Sequence, residues 1–552
     1  MAAGGEPLRH LYAIRAGAVR LERAGQPLQV LEEGEVFGYT SLISRQAFLD
    51  VVVEDRLLAY RLPGAQFERL LGDARFAAHF AAGLAKRLQA SLDRPRAPRF
   101  EPDVGVEVGQ LVQRAAVWAG PEATVGDVAR TMRDERVSSV LLRCDPPGIV
   151  TDRDLRSRVL GEDLGPELAA SRVCSRPLRT VAAGAPLYEA WRTLLDAGVN
   201  HLPVARDGEI VGVLTSTDLL RHSAHGPVAV LRRLERLASR GDVAGYGREV
   251  TEMASALLAA GLDTPVIAGF VAQLDAALLR RLLHLAEADL GPPPAPYAWL
   301  VFGSEGRREQ ALITEQLSAL VYGDAGAGEA AWFRALAQRV EADLEVAGFP
   351  PPPAERAGRP RSGTLSEWTG RVERCLDERP EDSSMLLDLR PAAGTLDVDP
   401  MEAALAGLAR DPRAVRALAR QALALAPPAA PLLRLRGPSR VDLEREGILP
   451  LASLARWAAV EAGSRTRGTL ERLDEAARAG VLSPATHAAA AESFRFLLRL
   501  RLSVRLEAAA AGEPGSDQVT LSDLSAIDRT RLKDALRAIR RWQEQAASRY
   551  RM

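Results

Sequence analysis

The chain has 552 residues, and at roughly 100–200 residues per domain that length means three to five domains. Hydrophobic residues make up 47% of it, charged residues 26%, and the formal net charge is -1, so several buried cores are expected and no global pull toward nucleic acid or an anionic membrane. Cys144, Cys174 and Cys375 are far apart and form no Cys-x-x-Cys pair, which argues against a disulfide framework and a cysteine-based zinc site. No basic start followed by an apolar stretch opens the chain, and no run approaches the roughly 18–20 apolar residues that span a bilayer. A reducing cytoplasm is the expected compartment.

The first region, residues 8–95, alternates in short segments such as Leu11-Tyr-Ala-Ile-Arg and Ala18-Val-Arg-Leu-Glu, punctuated by Gly17, Gly25, Gly34 and Gly38. That pattern predicts a small antiparallel β-roll. A helical tail is expected over Phe67 to Leu84, and the Pro-rich stretch from Arg94 reads as a linker.

Residues 104–224 contain an internal repeat. One half carries Val137-Ser-Ser-Val-Leu-Leu and Gly148-Ile-Val-Thr-Asp-Arg-Asp-Leu; the other carries Val199-Asn-His-Leu-Pro-Val and Gly212-Val-Leu-Thr-Ser-Thr-Asp-Leu-Leu. The order helix, strand, strand, helix recurs after about 64 residues.

Residues 228–399 open with helical sequence up to Leu290. A strand then runs from Tyr297 into Gly303-Ser304, followed by expected strands at Leu317–Tyr322 and Met385–Arg390 with a helix over Glu329–Ala347 between them. The last region, 400–552, reads as all-helical, with helices expected over Met401–Ala424, Leu449–Ala462, Thr469–Ala479, Pro484–Ala511 and Ile527–Arg549. The fold class is therefore multidomain α+β: a β-roll, a repeat pair, an α/β domain and a helical domain.

The richest stretch is Gly303-Ser304-Glu-Gly-Arg-Arg-Glu-Gln. Gly permits close backbone approach after a strand, and the Ser304 hydroxyl with freed N–H groups could hold a nucleotide phosphate, with Arg307 and Arg308 adding charge-assisted contacts. A lone Gly-Ser turn is weak evidence; its weight comes from what lies about ten residues on.

The chain resembles the bacterial signal-transduction proteins that join a cyclic-nucleotide-binding-like domain, a CBS pair and a putative nucleotidyltransferase domain similar to that of the protein-PII uridylyltransferase. The residues that carry this are Tyr297-Ala-Trp-Leu-Val-Phe-Gly-Ser-Glu-Gly-Arg-Arg-Glu-Gln, Trp368, Asp388-Leu-Arg-Pro, Asp442-Leu-Glu-Arg-Glu-Gly-Ile-Leu-Pro, Thr469-Leu-Glu-Arg-Leu and Leu498-Arg-Leu-Arg-Leu. The resemblance implies a phosphate-binding Gly303, Ser304 and Arg307, and a Mg²⁺ site at Glu315 and Asp388, the catalytic acids. Where the family reads Thr-Asp-Gln-Asp-Asn-Ala, this chain reads Thr314-Glu-Gln-Leu-Ser-Ala. Leu317 cannot ligate Mg²⁺, which needs hard oxygen ligands, so metal binding and transfer are expected to be weak or lost. The alternative is an active nucleotidyltransferase acting on a protein or small molecule.

The repeat resembles a CBS pair, in which Thr151, Asp154, Thr215 and Asp218 would hold an adenine nucleotide; Thr and Asp at a helix start are also ordinary capping residues. The first region resembles a cyclic-nucleotide-binding roll, but Tyr39 stands where functional relatives carry Glu, and Phe48-Leu-Asp50 where they carry Arg. A structural or dimerising roll is expected there. The resemblance further implies a homodimer and a PII-like or other signalling protein as partner, with neither nucleic acid nor membrane. His222 and His225 lack partners in a metal pattern; His201, Trp299 and Trp457 read as packed side chains.

Overall fold

A computed structural model describes residues 9–16, 19–23, 26–31, 36–38, 42, 50–53, 57–70, 106–222, 226–310, 312–324, 326–351, 362–378, 385–407, 411–425, 427 and 440–550. The chain divides into two compact units. The first comprises residues 1–100, 428–443 and 518–537; the second holds the remainder.

In the first unit, β1 (His10–Ala16), β2 (Val19–Arg23), β3 (Gln26–Leu31), β4 (Val36–Phe37), β5 (Asp50–Val53) and β6 (Leu58–Pro63) form two three-stranded sheets, ordered β4-β1-β6 and β3-β2-β5. Alternation along these strands places Ile14, Val19, Leu31, Phe37 and Val51 in one small core. Helix α1 (Gly64–Leu70) closes the roll, with Phe67 buried against Leu11. The rest of the expected tail, the linker, Tyr39 and Phe48 lie outside the described residues.

The second unit begins with the repeat. β7 (Trp118–Ala119), α2 (Val125–Glu135), β8 (Ser139–Leu142) and β9 (Gly148–Thr151) make one half; β10 (Val181–Ala182), α3 (Leu187–Ala197), β11 (His201–Arg206), β12 (Glu209–Thr215) and α4 (Ser216–His222) make the other. Each sheet has one parallel and one antiparallel pairing, in the same order. The halves differ in how they are buried. The first keeps a core of its own around Val128, Val140 and Val150. The second shares one continuous core with the helices that follow, through Trp191, Leu202 and Phe270.

Those helices are α5 (Pro227–Arg236), α6 (Tyr246–Ala259) and α7 (Thr264–Leu290). α7 is apolar on most sides and buried accordingly. It packs against α3, α5 and α6, and also against the sheet that comes next. That sheet is built from β13 (Tyr297–Val301), β14 (Ser318–Tyr322), β15 (Ser362–Thr364) and β16 (Arg390–Gly394), in the order β15-β14-β13-β16. Helices α8 (Ala327–Ala347) and α9 (Leu365–Glu378) lie between its strands in sequence. β13 is buried on both faces: Tyr297, Trp299 and Val301 join the core of α7 and α8, while Ala298, Leu300 and Phe302 join a second core with Trp368, Val372 and Met401.

Two expectations change here. Met385–Arg390 is not a strand: Leu386–Asp388 forms a single 3-10 turn, and β16 starts at Arg390. The turn brings the Asp388 carbonyl against Gly306. The single helix expected over Met401–Ala424 is two, α10 (Asp399–Ala406) and α11 (Pro412–Ala424). Pro412 cannot continue a helix from residue 408 onward, and Asp411 caps the new one by accepting from the Arg413 N–H.

The remaining helices are α12 (Leu449–Glu461), α13 (Thr469–Arg478), α14 (Pro484–Ala510) and α15 (Ala526–Tyr550). The last region is not wholly helical: β17 (Arg440–Asp442) pairs with β18 (Gln518–Thr520) in the first unit. No helix among the described residues is long and apolar enough to cross a membrane.

Candidate functional site

β13 delivers the chain to a one-turn helix, Gly303–Gly306. Gly303 has φ +63°, which an L side chain rarely adopts. The turn is closed by N–H groups of Arg307 to the Gly303 carbonyl (3.0 Å), Arg308 to Glu305 (3.0 Å) and Glu309 to Ser304 (2.8 Å). The first N–H groups of a helical turn have no ladder partner. Those of Gly303 and Ser304 therefore sit where a phosphate would need donors, and the Ser304 side chain is half-buried beside them.

Leu317 precedes β14, and its carbonyl accepts the Phe302 N–H at 2.9 Å. Its side chain packs with the Phe302–Trp368 core and lies over Gly303, 3.8 Å from where a Cβ would be. The position expected to carry a metal-binding acid is thus an apolar cover on the turn. Glu315 is half-buried in the segment before β14.

Arg307 does not face the turn's open N–H groups. It is 5% exposed, and its guanidinium donates to Glu309 (2.6 Å) and Asp388 (2.6 Å). Asp388 is 1% exposed. It accepts from Arg307, from Arg456 at 3.1 and 2.6 Å, and from Arg472 at 2.7 Å. Burial alone would raise its carboxyl pKa, but the guanidiniums of Arg456, Arg307 and Arg472 outweigh that and hold it far below the usual carboxylate range. Glu309 completes the cluster by accepting from the backbone N–H and hydroxyl of Thr469, the latter at 2.9 Å.

Two expectations are corrected by this geometry. Arg307 is an internal ion-pair residue rather than a phosphate contact, because both of its acid partners lie inward. Asp388 is not available as a metal or catalytic carboxylate, because both oxygens are taken by three arginines. With Asp388 engaged and Leu317 apolar, the donor set does not fit Mg²⁺, which needs several oxygen ligands in near-octahedral order. Among the described residues no group of three or more His, Cys, Asp or Glu could hold a metal ion.

Arg456 and Arg472 were not singled out from the sequence. A signal existed: Arg456 lies in the run Leu451-Ala-Ser-Leu-Ala-Arg-Trp-Ala-Ala-Val of α12, where every residue is buried. A charge in a helix apolar all round needs a buried partner. The cation that stays outside is Arg308, 51% exposed in its side chain, with φ +59° and a 3.4 Å ion pair to Asp196 of α3. Gln273 of α7 donates to the same Asp196.

Two more acids are buried here, Asp275 of α7 and Glu305 of the turn itself. Asp275 is 1% exposed and accepts from the Tyr246 hydroxyl at 2.7 Å. Glu305 is 3% exposed and accepts from the Gln316 amide at 3.0 Å. One oxygen of each has no hydrogen-bond partner among the described residues. Burial raises both carboxyls well above their usual range, and the mutual repulsion of the pair raises Glu305 further. A carboxyl raised in the folded state holds its proton there after the unfolded chain has lost it. Its contribution to stability is full below the ordinary carboxylate range and falls as pH rises toward neutrality and just beyond. We therefore expect the urea midpoint of the second unit to decline between pH 5 and pH 8, and Asp275→Asn with Glu305→Gln to flatten that decline. Equal slopes for the wild type and the double variant would show that these carboxyls do not titrate in this range.

In the repeat, Thr151 and Asp154 are bound to each other: the Thr151 hydroxyl donates to Asp154 at 2.7 Å, and the Thr151 N–H donates to the same oxygen at 2.9 Å. Thr215 and Asp218 repeat this with the same two distances, 2.7 and 2.9 Å. Both pairs are reciprocal helix caps. His201 joins the halves through a 2.7 Å hydrogen bond with Ser138. Trp299 and Trp457 are buried.

Comparison with known families matches residues 2–73 to a cyclic nucleotide-binding domain and residues 108–161 and 170–225 to the CBS domain. Residues 248–382 match "Putative nucleotidyltransferase DUF294", and 412–550 match "Putative nucleotidyltransferase substrate binding domain". The chain belongs to the family with this four-part architecture. The relatives match this chain only in part: an uncharacterized protein of Methanopyrus kandleri is 31% identical over 21% of this chain and 62% of its own length. A CBS domain-containing protein of Arabidopsis thaliana is 30% identical over 28% of each chain. The chain thus spans less than two thirds of either relative. Among solved structures, a CBS domain protein of Pyrobaculum aerophilum complexed with AMP is 27% identical, with a TM-score of 0.20, over 22% of this chain and 94% of that one. For this chain, the putative nucleotidyltransferase match ends at residue 382, before Asp388, and the substrate-binding match contains Arg456, Arg472 and Thr469. The buried ion cluster therefore ties the residue that follows the first match to helices of the second.

Proposed function

We propose that the chain is a signal-transduction protein in which nucleotide binding at the CBS pair sets the state of a nucleotidyltransferase-like domain that binds rather than transfers. The observation that carries this is Leu317: it covers Gly303 with an apolar side chain where the fold needs a metal-binding acid. The ion cluster agrees with it, since Asp388 is held by three arginines. Regulation is supported by the core that the second CBS repeat shares with α7, the helix that packs on the transferase sheet. The Thr-x-x-Asp pairs supply the residues for an adenine nucleotide, whose ribose and phosphate would replace the reciprocal cap contacts. Carried over from the resemblance are a cytoplasmic homodimer and a PII-like or other signalling protein as partner.

The test is a thermal-shift series with UTP and ATP, with and without Mg²⁺, beside an assay of labelled nucleotide transfer to a PII-type protein. The wild type is expected to show no Mg²⁺-dependent gain and no transfer. Leu317→Asp with Glu315→Asp is expected to gain a Mg²⁺-dependent rise, because two oxygen donors then flank the turn. Robust transfer by the wild type would overturn the reading in favour of an active nucleotidyltransferase, for which the intact Gly303-Ser304 turn speaks.

A further inference from the structure

The first CBS repeat, the second and α7 meet around a cleft of about 590 Å³, within the range of small-molecule sites, roughly 300–1,000 Å³. Its charge is one-sided. Arg153 lies within the Thr151–Asp154 capping motif and Arg156 just after it, while Arg280, Arg281 and His284 come from α7; Asn200 adds an amide just before β11, and Glu235 is the sole acid in the lining.

Some of these cations have other work. The Arg281 guanidinium donates to the Leu237 carbonyl, at 2.9 Å from Nε. Arg156 reaches Asp152 only at 3.4 Å, with both side chains exposed, a pairing of little worth. Among the described residues neither Arg153 nor Arg280 has an ion-pair partner, and the one contact of Arg280 is the Ala392 carbonyl at 3.4 Å. Guanidiniums converging on one cleft repel each other and concentrate anions. Their planar forks match phosphate oxygens two at a time.

We propose that this cleft is a binding site for a phosphate chain, free or carried by a nucleotide, that clamps the first CBS repeat to α7. The capping residues Thr151, Asp154, Thr215 and Asp218 do not line it, although Arg153 stands between the first two in sequence. Its position gives the clamp a mechanical meaning. The second repeat is already joined to α7 by a shared core, whereas the first keeps its own. A bridging polyanion supplies the missing joint. Arg280 also reaches from α7 to the transferase sheet, since its Ala392 partner lies on β16. The inference rests on the regulatory reading above for its consequence, not for its chemistry.

The experiment is isothermal titration calorimetry of the full chain with inorganic tripolyphosphate, ATP and AMP. Tripolyphosphate and ATP are expected to bind, and raising salt from 50 to 300 mM to weaken both, as phosphate–cation contacts require. Arg280→Ala is expected to weaken tripolyphosphate at least tenfold, with Arg280→Lys recovering part of the loss. Should Arg280→Ala melt early without ligand, the exposed pair Arg153→Ala with Arg156→Ala tests the opposite wall and is expected to give the same loss. Tripolyphosphate binding unaffected by either set would overturn the proposal, as would ATP binding with no heat from tripolyphosphate, which assigns the affinity to the adenosine. Tripolyphosphate binding lost in these variants, with no effect of any anion on UTP stabilisation of the transferase-like domain, would uphold the cleft and sink the regulatory reading.

Discussion

Asp388→Ala should cost the second unit about 3–5 kcal/mol of stability, the range for breaking a buried ion pair by removing one partner. The reason is the arithmetic of the cluster. Three guanidiniums, of Arg307, Arg456 and Arg472, share Asp388 and Glu309 as their acids. Without Asp388 only Glu309 remains, bonded to Arg307, and Arg456 and Arg472 are left charged, buried and without a counter-ion. Replacing those two arginines together with Asp388 by apolar residues of similar volume should cost far less, because no uncompensated charge stays behind. Urea titration of the three proteins reads the difference. An Asp388→Ala protein as stable as the wild type would mean that the carboxylate is not structural, and would return it to the list of candidate catalytic acids.

Gly306→Ala should be nearly as damaging, by about 3 kcal/mol, at the upper end of overpacking costs. A Cβ on Gly306 would stand 1.8 Å from the Asp388 carbonyl oxygen and 3.1 Å from that of Val301. Both obstacles are backbone, so no rotamer change can relieve them. The turn or the 3-10 segment must shift, and either movement also pulls Asp388 away from its arginines. Gly269→Ala is the matched control: it lies within α7 with nothing within 4 Å of an added Cβ. There the helix should gain about 0.5–1 kcal/mol. Equal midpoints for the two variants would refute the close approach.

Much of the fold was legible in the residues because periodicity reports burial directly. The alternation of β1, the repeated Gly-Ile-Val-Thr and Gly-Val-Leu-Thr strands, and the apolar run of β13 each announce an element and its buried face. Pro412 is less decisive, because helix-forming residues flank it on both sides and periodicity alone does not mark the start of a second helix there. The site was less legible. Gly303 and Leu317 could be assigned their places by spacing, since both lie beside one strand pair. Asp388 was found but misjudged: its partners Arg456 and Arg472 stand 68 and 84 residues further on, and no local pattern joins them. A carboxylate beside a turn looks the same in sequence whether it awaits a metal or neutralises arginines. Arg307 misled for the same reason, because a guanidinium near a phosphate-type turn can point either way along a stiff backbone.

The shared core of Trp191, Leu202 and Phe270 has a consequence for how this chain can change over time. Trp191 and Phe270 meet edge to face at 6.3 Å, where the second repeat packs on α7. A repeat that contributes part of its neighbour's interior cannot be exchanged for another copy without leaving a hole on one side and a bare apolar face on the other. The first repeat carries no such debt. Substitutions, insertions and even wholesale replacement should accumulate in the first half of the pair, while the second half drifts only in step with α7.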